Sequence, residues 1–252
     1  MKLGILATMG TSPPVVTEFV HYVERTEKIA NLIIMTTSER IVRESAILAS
    51  VATKDKFPHI HVKVVELPIA DITSEEENYL FMEKAAQTLA ELRRSSDKLY
   101  ICLAGGRKEM VASMTLLAQF FDVDAMYHVV STEVKAINVA LEKIRKEIQE
   151  LASSQDPKEY YRQKKEDFEP IMYPPSTSYN VIMVPIIPYP PENIKILKYL
   201  LSNTSIERKK LGLREEFLHR LKNRGLIGLT ADRIIVTDEG RKFYDAVLKY
   251  LE

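Results

Sequence analysis

Two short segments of this sequence concentrate residue types able to hold an anion. Residues 103–110 read LAGGRKEM. Gly105 and Gly106 let backbone amides approach a ligand closely, and Arg107 and Lys108 open the amphipathic run that follows. Cations at a helix start oppose its dipole by roughly 0.3–1 kcal/mol each, so their placement here points to an external anion. Phosphate suits a planar guanidinium fork beside a lysine point charge. The second segment, residues 7–14, reads ATMGTSPP. After Met9, Gly10 permits a tight turn, Thr11 or Ser12 can cap a helix, and Pro13 or Pro14 suits its first turn. This is either a hydroxyl-capped helix start or a site for an anion or sugar, made of hydroxyls and free helix amides. Two further polar stretches have the same character. Residues 36–40 (TTSER) carry Thr37 and Ser38 and read most simply as another cap. Residues 71–75 (DITSE) carry Thr73 or Ser74 as a cap and Asp71 as an acceptor for a hydroxyl or base.

Other chemistries find little support. The sequence has neither GxxxxGK[ST] nor GxGxxG, which weakens triphosphate and dinucleotide readings. His59 and His61 share a strand face without a cysteine or carboxylate cluster to complete a metal site, and Cys102 is the one cysteine, so neither metal nor cofactor is expected. Arg214 and His219 match an R-x4-H pattern that resembles the HEPN ribonuclease motif. They fall inside a small module with an evident hairpin, where the match reads as coincidence.

The elements that must position the anion-binding segments are legible from periodicity. Residues 3–8, 32–36, 61–67, 99–103 and 125–130 are short apolar runs that predict strands. Between them 15–27, 39–53, 75–94 and 108–121 predict helices. Met110, Met114, Leu117 and Phe121 share one face of the last. Such alternation implies a Rossmann-like, doubly wound, mainly parallel sheet, whose ligands bind beyond the carboxyl ends of the strands. Both anion-binding segments lie at such ends. Residues 133–152 predict a further helix, closing a core at residues 1–152. Residues 153–191 form a polar insertion with an extra strand over 181–187 and a Pro-rich linker. Residues 192–252 predict three helices, a hairpin and a final helix, the order of a winged helix-turn-helix.

Composition sets the outer limits. The 252 residues hold 35 Lys and Arg against 35 Asp and Glu, which argues against a chain that coats nucleic acid. The 192–252 module is slightly basic, with 13 of the cations and 9 of the anions. No stretch approaches the ~18 apolar residues of a membrane span, and MKLGILATMG reads as a buried strand rather than a signal peptide. A cytoplasmic protein that does not engage a membrane is expected.

Three segments, LGILATMGTSPPVVTE, ADITSEEEN and above all LAGGRKEM, make the first ~150 positions similar to the CARF (CRISPR-associated Rossmann fold) family. Within it the chain resembles stand-alone proteins related to archaeal CRISPR ring nucleases. The resemblance implies a homodimer whose paired sheet ends bind a cyclic oligoadenylate, cyclic tetra-adenylate above all. A two-fold pocket matches a ring of four identical nucleotides. It further implies metal-independent cleavage: a ribose 2′-hydroxyl attacks the adjacent phosphodiester, giving linear di-adenylates with 2′,3′-cyclic phosphate ends. Thr11 and Ser12 would then position the attack. Arg107 and Lys108 would stabilise developing charge. Met9, Gly10, Thr37, Ser38, Asp71, Gly105 and Gly106 would line the ligand. Such proteins also use a lysine from beyond the core sheet, for which Lys164 and Lys165 are the candidates. The apolar stripe of helix 108–121 or its neighbours is expected at the two-fold interface, with the winged helix paired with its partner or packed on the core rather than free. The alternative is a ring-responsive transcription regulator whose winged helix binds DNA. Its recognition helix, however, opens on Glu215 and Glu216, carboxylates that phosphates disfavour.

Overall fold

The computed structural model describes residues 1–103 and 105–251; Ala104 of the LAGGRKEM segment and Glu252 lie outside the described residues. The first half runs β1 (Leu3–Thr8), α1 (Pro14–Glu24), β2 (Ile29–Thr36), α2 (Arg40–Lys56), β3 (His61–Glu66), α3 (Glu75–Ser95), β4 (Lys98–Cys102), α4 (Lys108–Phe120) and β5 (Ala125–Ser131). It continues with α5 (Val134–Lys143), α6 (Arg145–Ser153), α7 (Pro157–Gln163), α8 (Lys165–Met172) and β6 (Tyr179–Val184).

Six strands form one sheet in the order β3-β2-β1-β4-β5-β6. The first five are parallel, and β6 closes the edge antiparallel to β5. β1 lies at the centre with every residue buried, which is why it reads as an unbroken apolar run. Its side chains alternate between two cores. Leu6 joins Ile33, Met35 and Ile101 under α3 and α4. Ile5 and Ala7 join Ile34, Tyr100 and Cys102 under α1 and α2. The chain winds outward from β1 to β3 and then returns to place β4 on the other side of β1. The strand order reverses between β1 and β4, and a crevice opens there.

The polar insertion differs from expectation. The helix anticipated over 133–152 breaks at Ile144 into α5 and α6, and residues 157–172 form two more helices. Tyr161, Phe168 and Met172 are fully buried against the α1–α2 face, the two rings stacked at 5.4 Å. These three apolar residues sit among charged neighbours, so the segment reads as a surface loop although it covers a core.

The last sixty residues run α9 (Pro191–Ser202), β7 (Ser205–Glu207), α10 (Arg208–Leu211), α11 (Glu215–Asn223), β8 (Ile227–Leu229), β9 (Arg233–Val236) and α12 (Asp238–Ala246), with a final 3₁₀ turn at Leu248–Tyr250. The second of the three helices expected ahead of the hairpin, α10, is a single turn, because Ser205–Glu207 form β7 instead and pair with β9. This module shares one continuous apolar cluster with α3 and α4. Phe120 stacks on Tyr189 at 4.9 Å and meets Phe243 edge-on at 6.0 Å. Glu83 accepts hydrogen bonds from Tyr250 at 2.7 Å and Lys249 at 3.0 Å, and Tyr79 bonds Glu239. Met110, Met114 and Leu117 of α4 are buried inside the chain. That corrects the expectation for this stripe, because a stripe spent on the core of one chain is not free for a second, and it leaves the neighbouring elements for that role. Among the described residues no helix is long and apolar enough to cross a membrane.

Candidate functional site

The crevice is built from two loops in close contact, with the β1 end also tied to β2. The Thr8 hydroxyl donates to the Gly105 carbonyl at 2.5 Å, and the Met9 amide donates to the Met35 carbonyl at 2.8 Å. A Cβ on Gly105 would stand 2.9 Å from both the Thr8 oxygen and the Met9 carbonyl carbon, closer than backbone tolerates. Gly106 adopts φ +108°, a conformation that favours glycine. The two glycines therefore let the β4–α4 loop lie directly on the β1–α1 loop. Arg107 is the residue before α4 and Lys108 its first residue, so both cations flank a helix start, as the sequence implies.

Thr11 and Ser12 do not cap α1. The cap position is Pro13, and among the described residues no side chain closes that end. Neither hydroxyl donates to another described residue, and this leaves both available to a ligand. Thr11 lines the crevice, whereas Ser12, the next residue, is half-buried and does not line it directly. The β2 end also departs from expectation. Glu39, not Thr37 or Ser38, caps α2, its carboxylate accepting from the Val42 amide at 2.9 Å. Thr37 is nearly buried on the crevice wall, and the Ser38 amide donates to the Ile69 carbonyl at 2.9 Å, which ties the β2 and β3 ends together.

Asp71 has a partner the sequence did not suggest. Arg107 Nε donates to its Oδ1 at 2.7 Å, and Nη2 donates to Oδ2. The guanidinium, helped by the Ile72 amide, holds the Asp71 carboxyl below the usual carboxylate range. In this state Asp71 serves as a counter-ion for Arg107 rather than a free acceptor. The loop carrying it is fixed by Glu77, which accepts from the Thr73 amide at 2.7 Å and the Ser74 amide at 3.0 Å, while the Ser74 hydroxyl accepts from the Glu77 amide at 3.2 Å. This reciprocal capping box starts α3. Lys108 is exposed and has no ion partner among the described residues.

The resulting crevice holds about 500 Å³, within the roughly 300–1,000 Å³ of small-molecule sites. Met9, Gly10, Thr11, Thr37, Asp71, Gly106 and Arg107 form its polar or backbone-lined part. Sequence reasoning missed its apolar wall, Ile41, Val42 and Met110, and its second acid, Glu39. The available signal was an apolar pair in the first turn of a helix that follows a strand end.

Lys164 and Lys165 are not brought to this crevice. Lys165 Nζ lies 2.9 Å from Asp55 Oδ2, at the far end of α2. Glu39, Ile41 and Val42 stand at the near end, about 22 Å away at 1.5 Å per residue. Both lysines instead line an open surface hollow with Lys56 and Arg162. Their assignment to catalysis in this chain's site is corrected accordingly. The insertion packs lengthwise along α2, so its α7–α8 junction falls at the wrong end of the helix.

The family model described as CRISPR-associated protein NE0113 (Cas_NE0113) matches residues 12–216. No curated protein matches the chain. Among solved structures, Enterococcus italicus Csm6 bound to cyclic hexa-2′-fluoro-hexa-dAMP is similar at 12% identity and a TM-score of 0.49, over 80% of this chain. The match takes in 46% of the Csm6 chain, so the protein spans less than half the length of that relative. The family match runs from the β1–α1 loop through both cation-bearing residues and into the C-terminal module, and on it the chain belongs to the CRISPR-associated NE0113 family.

Proposed function

We propose that this protein binds cyclic tetra-adenylate in the crevice between β1 and β4 and cleaves it, ending a CRISPR signal. The observation that carries the reading is the joined pair of loops. Gly10 and Gly106 bring backbone to the crevice, with Thr11 on its wall, Arg107 at its edge and the unpaired Lys108 beside it. The Arg107–Asp71 pair is solvent-facing, so a phosphate offering the same two-oxygen geometry can replace Asp71 on the guanidinium. Membership of a CRISPR-associated family supports a nucleotide signal as that anion.

In the proposed reaction the 2′-oxygen of one ribose forms a bond to the adjacent phosphorus as the bond to the 5′-oxygen breaks. The proton leaves the 2′-hydroxyl and one is taken up by the departing 5′-oxygen. The products are di-adenylates ending in 2′,3′-cyclic phosphate. Thr11 and Ser12 hold the attacking hydroxyl in line, while Lys108 and Arg107 stabilise charge on the phosphoryl oxygens. A homodimer sharing the CARF architecture presents two such crevices to a ring with two-fold symmetry. The antiparallel edge strand β6, with exposed Ile182 and Met183, supports a pairing site at that edge of the sheet.

Residues 191–251 are read as a winged helix that braces the core rather than one that grips DNA. Glu215 and Glu216 open α11 and are paired with Arg208 and Arg220, which places carboxylates where a recognition helix meets phosphates. Incubating the purified protein with cyclic tetra-adenylate in EDTA, then resolving products by mass, tests the proposal. A ring that binds and stays intact would leave a sensor in place of an enzyme.

A further inference from the structure

The crevice does not end at Thr11. A second cleft of about 330 Å³ shares Thr11 and Ile41 with it and runs between the start of α2 and the α5–α6 pair. Pro13, Ile41 and Leu141 supply apolar surface. Asn138 and Glu142 flank Leu141 on α5, four residues apart and therefore on one face of that helix, across the cleft from Pro13 and Ile41. Both are exposed, and neither hydrogen-bonds or ion-pairs with another described residue. Arg145, on the same cleft, is different: it is tied to the buried Glu44 and serves the fold.

A slot with apolar walls and a primary amide at its rim fits the edge of a flat heteroaromatic base. An asparagine pairs with adenine in two-point fashion, its oxygen accepting from N6 and its nitrogen donating to N7. An ionised glutamate only accepts. Beside the same base edge it favours a 6-amino group and opposes a 6-carbonyl, which would set two acceptors against each other with no proton between them.

From this we infer that the Asn138–Glu142 face of α5 is a base subsite that selects 6-aminopurine over 6-oxopurine. The inference rests on the crevice being the phosphate site, because a nucleotide held at Lys108 and Thr11 extends its base into the adjoining cleft. It accounts for two features the phosphate chemistry leaves idle: the continuity of the clefts through Thr11, and an unpartnered amide and carboxylate set against an apolar wall.

The test measures equilibrium affinities of cyclic tetra-adenylate and cyclic tetra-inosinate, which differ in the 6-substituent, for the full-length protein and three variants. The unaltered protein prefers the adenylate ring. Asn138→Ala lowers adenylate affinity by about tenfold, the order expected for a two-point base contact. Glu142→Gln narrows the preference, because an amide can donate to a 6-carbonyl. Lys108→Ala weakens both rings alike. Asn138 and Glu142 are exposed, so melting temperatures serve as a control on folding. If the unaltered protein binds the adenylate ring and both α5 variants keep its affinity and preference, the subsite is wrong and the crevice reading survives. If the unaltered protein binds neither ring, the crevice reading falls and the subsite falls with it.

Discussion

Glu18 makes the stability of this protein depend on pH in a direction opposite to that of most carboxylates. It lies on α1 with 1% of its surface exposed, and neither carboxylate oxygen has a hydrogen-bond partner among the described residues. Burial pushes its pKa up from 4.5 to about 7. The folded state therefore holds this proton more tightly than the unfolded chain does. Stability from this residue is greatest below pH 4.5, declines as pH rises through the interval to 7, and is fully lost above it. At about 1.4 kcal/mol per pH unit, that interval sets a ceiling of about 3 kcal/mol, which local relaxation and water entry reduce. Glu18→Gln keeps the shape and removes the charge. Urea unfolding at pH 5, 6, 7 and 8 will show the variant close to the unaltered protein at pH 5 and more stable by roughly 2–3 kcal/mol at pH 8. The comparison cancels the opposite slope of carboxylates such as Asp71 and Glu77, whose pKa values are lowered. A stability difference that stays flat across that range, or a variant less stable at pH 8, would refute the reasoning.

Gly105→Ala forces the β1–α1 and β4–α4 loops apart, because its Cβ meets the backbone of Thr8 and Met9. A loss of about 1–3 kcal/mol in unfolding experiments, with ring affinity reduced as well, is expected. Lys164→Ala and Lys165→Ala leave ring cleavage at the level of the unaltered protein in the same assay, since both side chains stand at the far end of α2. Truncation after Ile187 removes Leu197, Leu200, Leu248 and Leu251 from the cluster over α3 and α4. Calorimetry will show a lower melting temperature and a core that aggregates on heating.

Much of the frame was legible because burial on both sheet faces leaves unbroken apolar runs. The apolar run at residues 3–8 coincides with β1 to the residue, and the two glycine-bearing strand ends meet at the crevice the winding rule demands. What escaped was long-range. The strand β7 has three residues and exists through its pairing with β9, so no local period announces it. Tyr161, Phe168 and Met172 are core residues in a segment whose composition is that of a surface. Asp71 and Arg107 are 36 positions apart, and their pairing depends on how two loops cross. Lys164 and Lys165 follow from the family resemblance without a local motif, and the docking of α7 and α8 along α2 carries them away from the site.

Single-turnover cleavage of labelled cyclic tetra-adenylate, with protein in excess and EDTA present, by the unaltered protein and by Lys108→Ala tests ring cleavage at this crevice most directly. The predicted result is complete conversion to di-adenylate with a 2′,3′-cyclic phosphate end, slowed by an order of magnitude or more in the variant. A ring recovered intact at saturating protein, or one cut equally fast without Lys108, would contradict it.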